Sequence, residues 1–416
     1  MFRLTLLASS DGQYLAASLS THVIKVYQRG EGGSISALLE LTGHGGPVTD
    51  VTFPLPEEPH LVTSSSEDGT VRLWDCRAAS AGGREAQRYT AHFAKSFATA
   101  ALGGGGDHLV CGGCKEQIVF WDRRAGGGLE VFEDSHSEDV TRLRFQPGRR
   151  HRLFTASVDG LACAFDCGGN PSDLSDEDGL LAVMTAGAAI VEMGFCARPG
   201  LGGGRGAGGP SGGGGGGGEA DVLWVLTGNE ELWMFDAAGN LETLGDLLAH
   251  VPETREAAAR AAAVAGIPTR AVPGGAREED GGDDDDMVCG LSHRVDYLVT
   301  CFSDCAAGTV LVAAGTQDGT VGVFPVVPGS DPAEPTAASL GAPVVRFSAC
   351  APHTRAPRRR RTRLNSPEPA CTRLSPSEPA TPALTPAPDR LTRGVVRCAV
   401  ATPGTVGATQ TPGQSL

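Results

Sequence analysis

The sequence predicts an all-β protein built from one repeated unit, on the basis of three observations. The first is a hairpin in which a short strand turns at Asp-Gly and returns as an alternating strand ending in an aromatic residue, as in "VTSSSEDGTVRLWD". The second is that this hairpin recurs along the chain, and the third is that its copies are regularly spaced. Short strands with turn signals at regular intervals are typical of sandwiches, barrels and propellers.

Three copies of the hairpin keep a hydroxyl residue two positions before the Asp and an aromatic residue six positions after it. They are "SEDGTVRLW", "SVDGLACAF" and "TQDGTVGVF". "TGNEELWMF" keeps this register with Asn in place of Asp, whereas "GCKEQIVFW" and "LSTHVIKVY" retain only the final aromatic residue. The six hairpins therefore end at Tyr27, Trp74, Trp121, Phe165, Phe235 and Phe324.

The spacing of these aromatic residues indicates the architecture. Tyr27, Trp74 and Trp121 are separated by 47 residues each, and Phe165 follows 44 residues later. A period of roughly 40–45 residues, with Gly-His upstream and Trp-Asp at the end, is typical of propeller blades. Upstream histidines stand in "LTGHGGPVTDVTF", "DSHSEDVTRLRF" and "LSHRVDYLVTCF". The predicted fold is therefore a β-propeller with six recognisable blades and an incomplete seventh.

Two later intervals, of 70 and 89 residues, are too long for one blade, and each contains an insertion of distinct composition. A glycine-rich segment at 197–220 separates two predicted strands of one blade. A short alanine-rich helix is predicted at 254–265, and an acidic insertion follows at 267–287. Long surface loops are tolerated because the closure entropy grows only with the logarithm of loop length. We expect both insertions to be disordered.

The predicted propeller covers residues 1–348, and residues 349–416 form a tail rich in Pro, Ser, Thr and Arg. Such a composition buries too little apolar surface to order itself, so we expect a largely disordered tail. "PTAASL" is predicted to be the last strand of the sixth blade, and "APVVRFSAC" the first strand of the seventh. "GVVRCAVATPG", with a strand at 394–400, is a second candidate for that first strand.

The hairpins and their upstream histidines resemble the WD-repeat (WD40) β-propeller family. In that family, a His before the first strand, a Ser or Thr in the second, the turn Asp and the Trp of the third form a hydrogen-bonded tetrad. Carried over by position, the resemblance implies one complete structural tetrad: His44, Ser66, Asp68 and Trp74. It implies two partial tetrads: His136, Ser157, Asp159 and Phe165, and His293, Thr316, Asp318 and Phe324.

The repeated His, Ser and Asp residues have two interpretations, a structural staple and a hydrolase triad. Buried polar groups need hydrogen-bond partners, because an unpaired one costs about 1–3 kcal/mol. The same internal spacing in several copies favours the staple, since an active site is not repeated in every blade. We therefore predict that the protein is not an enzyme, and no catalytic residue is assigned.

The chain has a net charge of −15 and a pI near 5.1, which gives it no general attraction for nucleic acid. No apolar run approaches the ~20 residues of a membrane span. The first residues lack the hydrophobic core and cleavage pattern of a signal peptide. We expect an intracellular protein, in the cytoplasm, the nucleus or both, with no membrane partner.

Twelve cysteines raise the question of a metal or redox site. Cys111 and Cys114 in "CGGC" are the single Cys-x-x-Cys pair, and no second pair completes the four ligands of a structural zinc site. The glycine runs lack the Gly-Lys-Ser/Thr ending of a phosphate-binding loop. The sequence therefore predicts no metal site and no cofactor.

Blocks such as "HSEDVTRLRFQPGRRHRLFTASVDGLACAFD" resemble, more narrowly, the WD repeat-containing protein 89 family. The resemblance implies a single propeller without catalytic chemistry that acts through bound partners. Its most specific part is the block 137–145, and we take Asp139 and Thr141 in that block as candidate partner-binding residues.

Two functions from different classes follow. The favoured one is a non-enzymatic scaffold whose faces and loops bind other proteins of unknown identity. The alternative, implied by the resemblance, is a nuclear assembly factor linked to ribosome biogenesis, with RNA or ribonucleoprotein contacts. Nucleic acid would then bind only indirectly or through the basic tail. A candidate nuclear-import cluster in the tail consists of Arg358, Arg359, Arg360 and Arg361.

Overall fold

A computed structural model describes residues 3–30, 33–77, 84–170, 173–196, 221–239, 242–264, 297–304, 309–315, 321–328, 336–347 and 395–398. These residues form six sheets, each of which contains four antiparallel strands in sequence order. The first strands of successive sheets contact one another, so they line a common axis. The sheets are the six blades of a propeller, as predicted.

The first three blades follow the chain without a long insertion. The first contains β1 (Arg3–Ala8), β2 (Tyr14–Ser18), β3 (Ile24–Arg29) and β4 (Ile35–Leu41). The second contains β5 (Val48–Thr52), β6 (Leu61–Ser66), β7 (Thr70–Asp75) and β8 (Arg84–Thr90). The third contains β9 (Thr99–Gly103), β10 (Leu109–Cys114), β11 (Gln117–Asp122) and β12 (Gly128–Phe132).

The next three blades include two helices. The fourth contains β13 (Val140–Gln146), β14 (Arg149–Ser157), β15 (Leu161–Asp166), α1 (Asp176–Gly179) and β16 (Leu180–Thr185). The fifth contains β17 (Ile190–Cys196), β18 (Val222–Thr227), β19 (Leu232–Asp236) and β20 (Leu247–Val251), followed by α2 (Thr254–Val264). The sixth contains β21 (Tyr297–Asp304), β22 (Thr309–Gly315), β23 (Val321–Pro328), β24 (Ala338–Leu340) and β25 (Val345–Phe347).

The Asp-Gly turns have the conformation that the sequence predicts. Gly69 and Gly160 each follow the turn Asp and have φ values of +76° and +83°. A side chain is strained in this left-handed region. A Cβ at either position would also lie within 3.2 Å of a carbonyl oxygen, that of Ala94 or of Ala188. Glycine is therefore favoured at these turns of the second and fourth blades.

The core is divided into layers between neighbouring blades. Buried side chains of the second and third blades pack together, including Leu73, Phe97 and Trp121. Corresponding apolar clusters join the first blade to the second, the third to the fourth, the fourth to the fifth and the fifth to the sixth. Ala258 and Ala261 of α2 pack in the last of these layers. Each blade is therefore stabilised mainly by its two neighbours, as expected of a repeat fold.

The seam between the sixth and first blades differs in part from the sequence prediction. "PTAASL" contributes β24, but β25 is not the first strand of a seventh blade. It pairs with residues 321–323 of β23, with Val345 opposite Val323, whereas β24 pairs with residues 326–328 of the same strand. The two short strands therefore lie one after the other along the outer edge of the sixth blade. A three-residue strand beside an available edge gains backbone hydrogen bonds there, and the sequence pattern does not reveal that edge.

The second candidate takes the seventh position instead. β26 (Val395–Cys398) pairs in parallel with β1 and also contacts β21. It therefore lies between the innermost strands of the first and last blades, where the innermost strand of a seventh blade would run. The predicted insertions at 197–220 and 267–287 lie outside the described residues, as does the tail apart from β26.

Candidate functional site

One end of the propeller carries the predicted tetrad turns of the second and fourth blades. Because successive strands of a blade run in opposite directions, the connection entering a blade and the turn between its second and third strands lie at the same end. In the second blade these two segments contain His44 and Asp68. We call this end of the propeller the tetrad face.

The tetrad of the second blade is a chain of three hydrogen bonds. Trp74 Nε1 donates to Ser64 Oγ over 2.8 Å, and Ser64 Oγ lies 2.8 Å from His44 Nε2. His44 Nδ1 lies 3.0 Å from Asp68 Oδ2. Because the Asp68 carboxylate can only accept, His44 Nδ1 carries the proton and donates to it. In the neutral imidazole Nε2 is then an acceptor, so the Ser64 hydroxyl donates to it.

The hydroxyl group in this tetrad is that of Ser64, whereas the resemblance to WD repeats implied that of Ser66. Both side chains point to the same face of β6, because strand residues alternate with a period of two. Ser66 lies one such step nearer the turn, where its Oγ donates to the carbonyl oxygen of Gly46 over 3.1 Å. The same Oγ accepts from the amide of Asp68 over 3.1 Å. Ser66 therefore stabilises the turn, and Ser64 completes the tetrad.

Asp68 is held as a carboxylate by a dense set of donors. Burial alone would raise its pKa, but hydrogen bonds from Thr70, from the Gly45 amide and from His44 outweigh this effect. The pKa of Asp68 is consequently lowered to about 2. The Thr70 hydroxyl donates to Oδ1 over 2.7 Å, and the Gly45 amide donates to Oδ2 over 2.8 Å.

Burial makes His44 a weaker base than an exposed histidine, which is the opposite of what a catalytic base needs. It lowers the pKa of this histidine, and the hydrogen bond to Asp68 only partly offsets the effect. A neutral imidazole with Nδ1–H also satisfies both of its hydrogen bonds. His44 is therefore neutral in the folded protein at physiological pH.

The sequence analysis did not identify Arg72, whose side chain extends the hydrogen-bond network of this tetrad. Its guanidinium is buried, and Nη1 donates to Glu85 Oε2 over 2.5 Å. Its Nε donates to the Thr70 hydroxyl over 3.1 Å, and the cation lies 5.8 Å from the centre of the Trp74 ring. The available signal was a charged residue two positions before Trp74, on the strand face that carries the indole.

The fourth blade repeats the arrangement without the indole. His136 Nδ1 lies 3.0 Å from Asp159 Oδ2, and His136 Nε2 lies 2.7 Å from Thr155 Oγ1. As in the second blade, the tetrad hydroxyl lies two positions before the serine that was predicted. The hydroxyl of that serine, Ser157, instead donates to the carbonyl oxygen of Glu138 over 3.0 Å. Phe165 is buried and has no N–H to donate. Burial lowers the pKa of His136 as well.

The remaining tetrad positions are only partly described. Phe324 is buried in the layer between the fifth and sixth blades. His293, Thr316 and Asp318 lie outside the described residues. In the third blade Lys115 occupies the turn and has a φ of +52°.

Ser64, His44 and Asp68 are connected in the order of a hydrolase triad, so their accessibility decides between the two interpretations. Ser64 is fully buried, and the His44 side chain is only 1% exposed. The Ser64 oxygen also accepts the indole N–H, which opposes its use as a nucleophile. A nucleophile must be reached by the substrate. The contacts of these residues are those of a structural staple.

A second polar network lines the propeller axis, and the sequence analysis did not anticipate it. Arg144 of β13 forms two hydrogen bonds with Asp50 of β5, over 2.7 and 3.1 Å. Thr99 of β9 donates to the same carboxylate over 2.7 Å. Although burial opposes the charge of Arg144, Asp50 raises its pKa.

The network continues into the fifth blade. Arg142 of β13 donates to both carboxylate oxygens of Glu192 on β17, over 2.6 and 3.1 Å. Asp50, Arg142 and Glu192 each follow a register shift in the first strand of their blade. A bulge of this kind re-aims the next side chain. A charged residue recurs at this position of the first strand, and this recurrence was the sequence signal that could have indicated the network.

The two candidate partner-binding residues have different surroundings. The Asp139 side chain is exposed on the tetrad face, and its carbonyl oxygen accepts from the Val158 amide over 3.0 Å. Thr141 is half-buried, and its hydroxyl donates to the carbonyl oxygen of Ala156 over 3.1 Å. Asp139 can contact a partner, whereas Thr141 is already used within its blade.

The described residues contain no group of three or more His, Cys, Asp or Glu side chains that could hold a metal ion. Cys111 and Cys114 are buried in the second strand of the third blade, and burial raises the pKa of both thiols. Within the described parts of the chain, no helix has the length and apolar character needed to cross a bilayer. The four tail arginines lie outside the described residues.

The six blades and the two His–Asp staples define the class of protein: the chain is a β-propeller whose second and fourth blades are stapled as the resemblance to WD40 repeats implied. The family described as "WD domain, G-beta repeat" matches residues 36–75. This match begins in the outer strand of the first blade and ends with the third strand of the second. The sequence repeat is therefore offset from the structural blade by one strand.

Among known proteins, the chain is similar to WD repeat-containing protein GTS1 of Arabidopsis thaliana, with 35% identity over 187 residues. It is also similar to a WD repeat-containing protein 89 homolog of Dictyostelium discoideum, with 29% identity over 181 residues. Each match covers 44% of this chain and 45% of the relative. A guanine nucleotide-binding protein subunit beta of A. thaliana is 28% identical over 165 residues, which are 38% of this chain and 43% of the relative. The chain thus spans less than half the length of these relatives.

Proposed function

We propose that this propeller is a non-enzymatic scaffold that binds other proteins through its tetrad face, inside the cell. The proposal rests on the hydrogen bonds that the repeated polar groups form. In the second and fourth blades, His44, Asp68, His136 and Asp159 form hydrogen bonds within their own blade. They hold the loops of this face in place, and the exposed parts of those loops are available for binding.

Backbone hydrogen bonds between neighbouring loops support the idea of a pre-ordered surface. The Phe97 amide donates to the Ser66 carbonyl oxygen over 3.0 Å, and the Val140 amide donates to that of Lys115 over 2.6 Å. Such bonds tie the loop entering one blade to the turn of another hairpin. A surface ordered before binding loses less conformational entropy on association.

The exposed side chains at one point of this face have the character of a binding surface. Val158, in the turn of the fourth blade, is 42% exposed and lies beside Asp139 through the backbone bond described above. Glu138 is exposed on the same loop. An apolar side chain surrounded by charged ones is a common arrangement in protein interfaces.

The proposal is tested by affinity purification from cells with quantitative mass spectrometry. The test variant is Val158→Glu, and the matched control is Val183→Glu, since Val183 is 51% exposed on the outer strand of the fourth blade. We expect a specific set of proteins to be lost with Val158→Glu and retained with Val183→Glu. Retention of the full set by Val158→Glu would count against the tetrad face as the binding surface.

The RNA-linked alternative rests on the four consecutive arginines of the tail, Arg358 to Arg361. Contacts with phosphates make affinity fall steeply with salt, and each lost contact reduces the slope by about 1. Under this alternative, replacing the four arginines with Ser would weaken RNA binding and flatten its salt dependence. Under the scaffold proposal, partner binding at the tetrad face is unaffected by the same change.

A further inference from the structure

The rim of the propeller contains a groove of about 710 Å³ between the outer parts of the second and third blades. One wall is β8 with the loop that follows it, and the floor is formed by β11 and β12. The residues that line this rim groove include neither the interior staples nor the exposed Val158 and Asp139.

The accessible apolar surface of the rim groove is small. Trp121 and Tyr89 pack with ring centres 5.7 Å apart, but both side chains are buried beneath the groove. Val131 is half-buried in the same layer, and Phe93, in the loop after β8, is 42% exposed. A bound segment would therefore meet apolar surface at Phe93 and Val131.

The margin of the rim groove is acidic. Four carboxylates line it: Glu130, Glu133, Asp134 and Asp176. Within the residues that the structure describes, none of the four forms an ion pair with a lysine or arginine. Arg88 also lines the groove, but its charge is balanced by Glu85, at 2.8 Å. The margin therefore has an excess of negative charge.

The floor also ends in a strand edge. β12 is the outermost strand of its sheet and pairs only with β11 in the described part of the chain. A free edge can accept the backbone of an extended peptide, whose side chains alternate between two sides with a period of two. A peptide bound along this edge would pass Phe93, Val131 and the carboxylates of the margin, all of which line the groove.

From the edge, the acidic margin and the accessible apolar side chains, we propose that the rim groove binds an extended segment of a partner protein that contains arginine or lysine together with apolar residues. The basic side chains pair with the four carboxylates, and the apolar ones contact Val131 and Phe93. The site adds a second binding surface to the one proposed on the tetrad face.

The test measures binding of a fluorescent eight-residue peptide, in which arginine alternates with valine, to the full chain. The groove variant combines Glu130→Gln, Glu133→Gln and Asp134→Asn. The control variant combines Glu67→Gln, Glu116→Gln and Glu256→Gln, three exposed carboxylates outside the groove. Both variants change the net charge by the same amount, so general attraction of the basic peptide is matched between them.

We expect the groove variant to bind about tenfold more weakly, because three exposed ion pairs are lost. The control variant should retain wild-type affinity, and a peptide with glutamate in place of arginine should not bind. Equal weakening by both variants, or no binding to the wild-type chain, would overturn the proposal. Binding that requires replacement of the tail arginines would show that the chain's own segment fills the groove, and would overturn the assignment to a partner.

Discussion

His44 Nδ1 and Asp68 Oδ2 lie 3.0 Å apart although the two residues are 24 positions apart in the chain. The bond joins the loop that enters the second blade to the turn of its middle hairpin. His136 and Asp159 repeat the distance, also 3.0 Å, in the fourth blade. Each staple thus closes the tetrad-face end of a blade without using a side chain from its neighbours.

The staples predict a loss of stability in acid. Burial lowers the pKa of His44 and His136 from the ordinary 6.5, and hydrogen bonding lowers that of Asp68 from 3.8 to about 2. Each group binds fewer protons folded than unfolded, so stability falls as pH falls. The loss begins below pH 6.5 for the histidines and below pH 3.8 for Asp68. We expect the urea midpoint to be constant from about pH 8 to 7 and to decrease from about pH 6.5 to 5.

The control for this pH dependence is a chain with His44→Gln and His136→Gln. It should be less stable at neutral pH, and its urea midpoint should change less between pH 6.5 and 5. A wild-type midpoint that rises on acidification would show that the histidines are charged in the folded state.

The pair of Asp50 and Arg144 predicts a second effect on stability. The Asp50 side chain is 3% exposed, so Asp50→Ala leaves a guanidinium unpaired beside the propeller axis. Breaking a buried pair from one side costs about 3 kcal/mol, whereas replacing both partners with apolar residues costs little. Urea unfolding should show a large loss for Asp50→Ala and recovery of most of it in Asp50→Leu/Arg144→Met. A silent Asp50→Ala would mean that the pair does not stabilise the axis.

The sequence predicted those features of the fold that depend on local pattern. The hairpins and the turn glycines follow from residues spaced within one blade, and the histidine–aspartate pairs of the second and fourth blades were implied by the resemblance to WD repeats. Ser64 and Ser66 could not be distinguished in this way, because both lie on the same strand face and only the distance across the hairpin separates them. Asp50 and Arg144 are 94 residues apart, and neither residue signals the other locally. The pairing of β25 with β23 likewise depends on which strand edge is free.

Cysteine reactivity provides a test of the buried interior. Seven described cysteines are buried without a disulfide, and burial raises the pKa of Cys163 and Cys167 to about 12. Because the thiolate is the reactive form, these thiols should resist iodoacetamide in the folded protein and react in denaturant. Mass spectrometry of the labelled chain measures this directly. Rapid labelling of Cys111 or Cys114 under native conditions would favour the redox interpretation of "CGGC".

The glycine-rich insertion is expected to be dispensable for folding. Cys196 and Val222 are paired in adjacent strands of the fifth blade, so a short turn can join the chain on either side of the insertion. Replacing residues 202–218 with such a turn should leave the thermal midpoint within a few degrees of the wild type. Loss of soluble protein would show that the insertion is structural.

The central claim is that the repeated polar residues are structural staples, each of which stabilises its own blade. Its most direct test is the unfolding free energy of two matched turn variants. Asp68→Ala removes the acceptor from His44 and Thr70, and should cost about 1–3 kcal/mol. Lys115→Ala changes the turn of the third blade, where no tetrad forms, and should be nearly silent. Thermal and urea unfolding of the two variants should therefore differ clearly. Equal losses of stability in both would contradict the account.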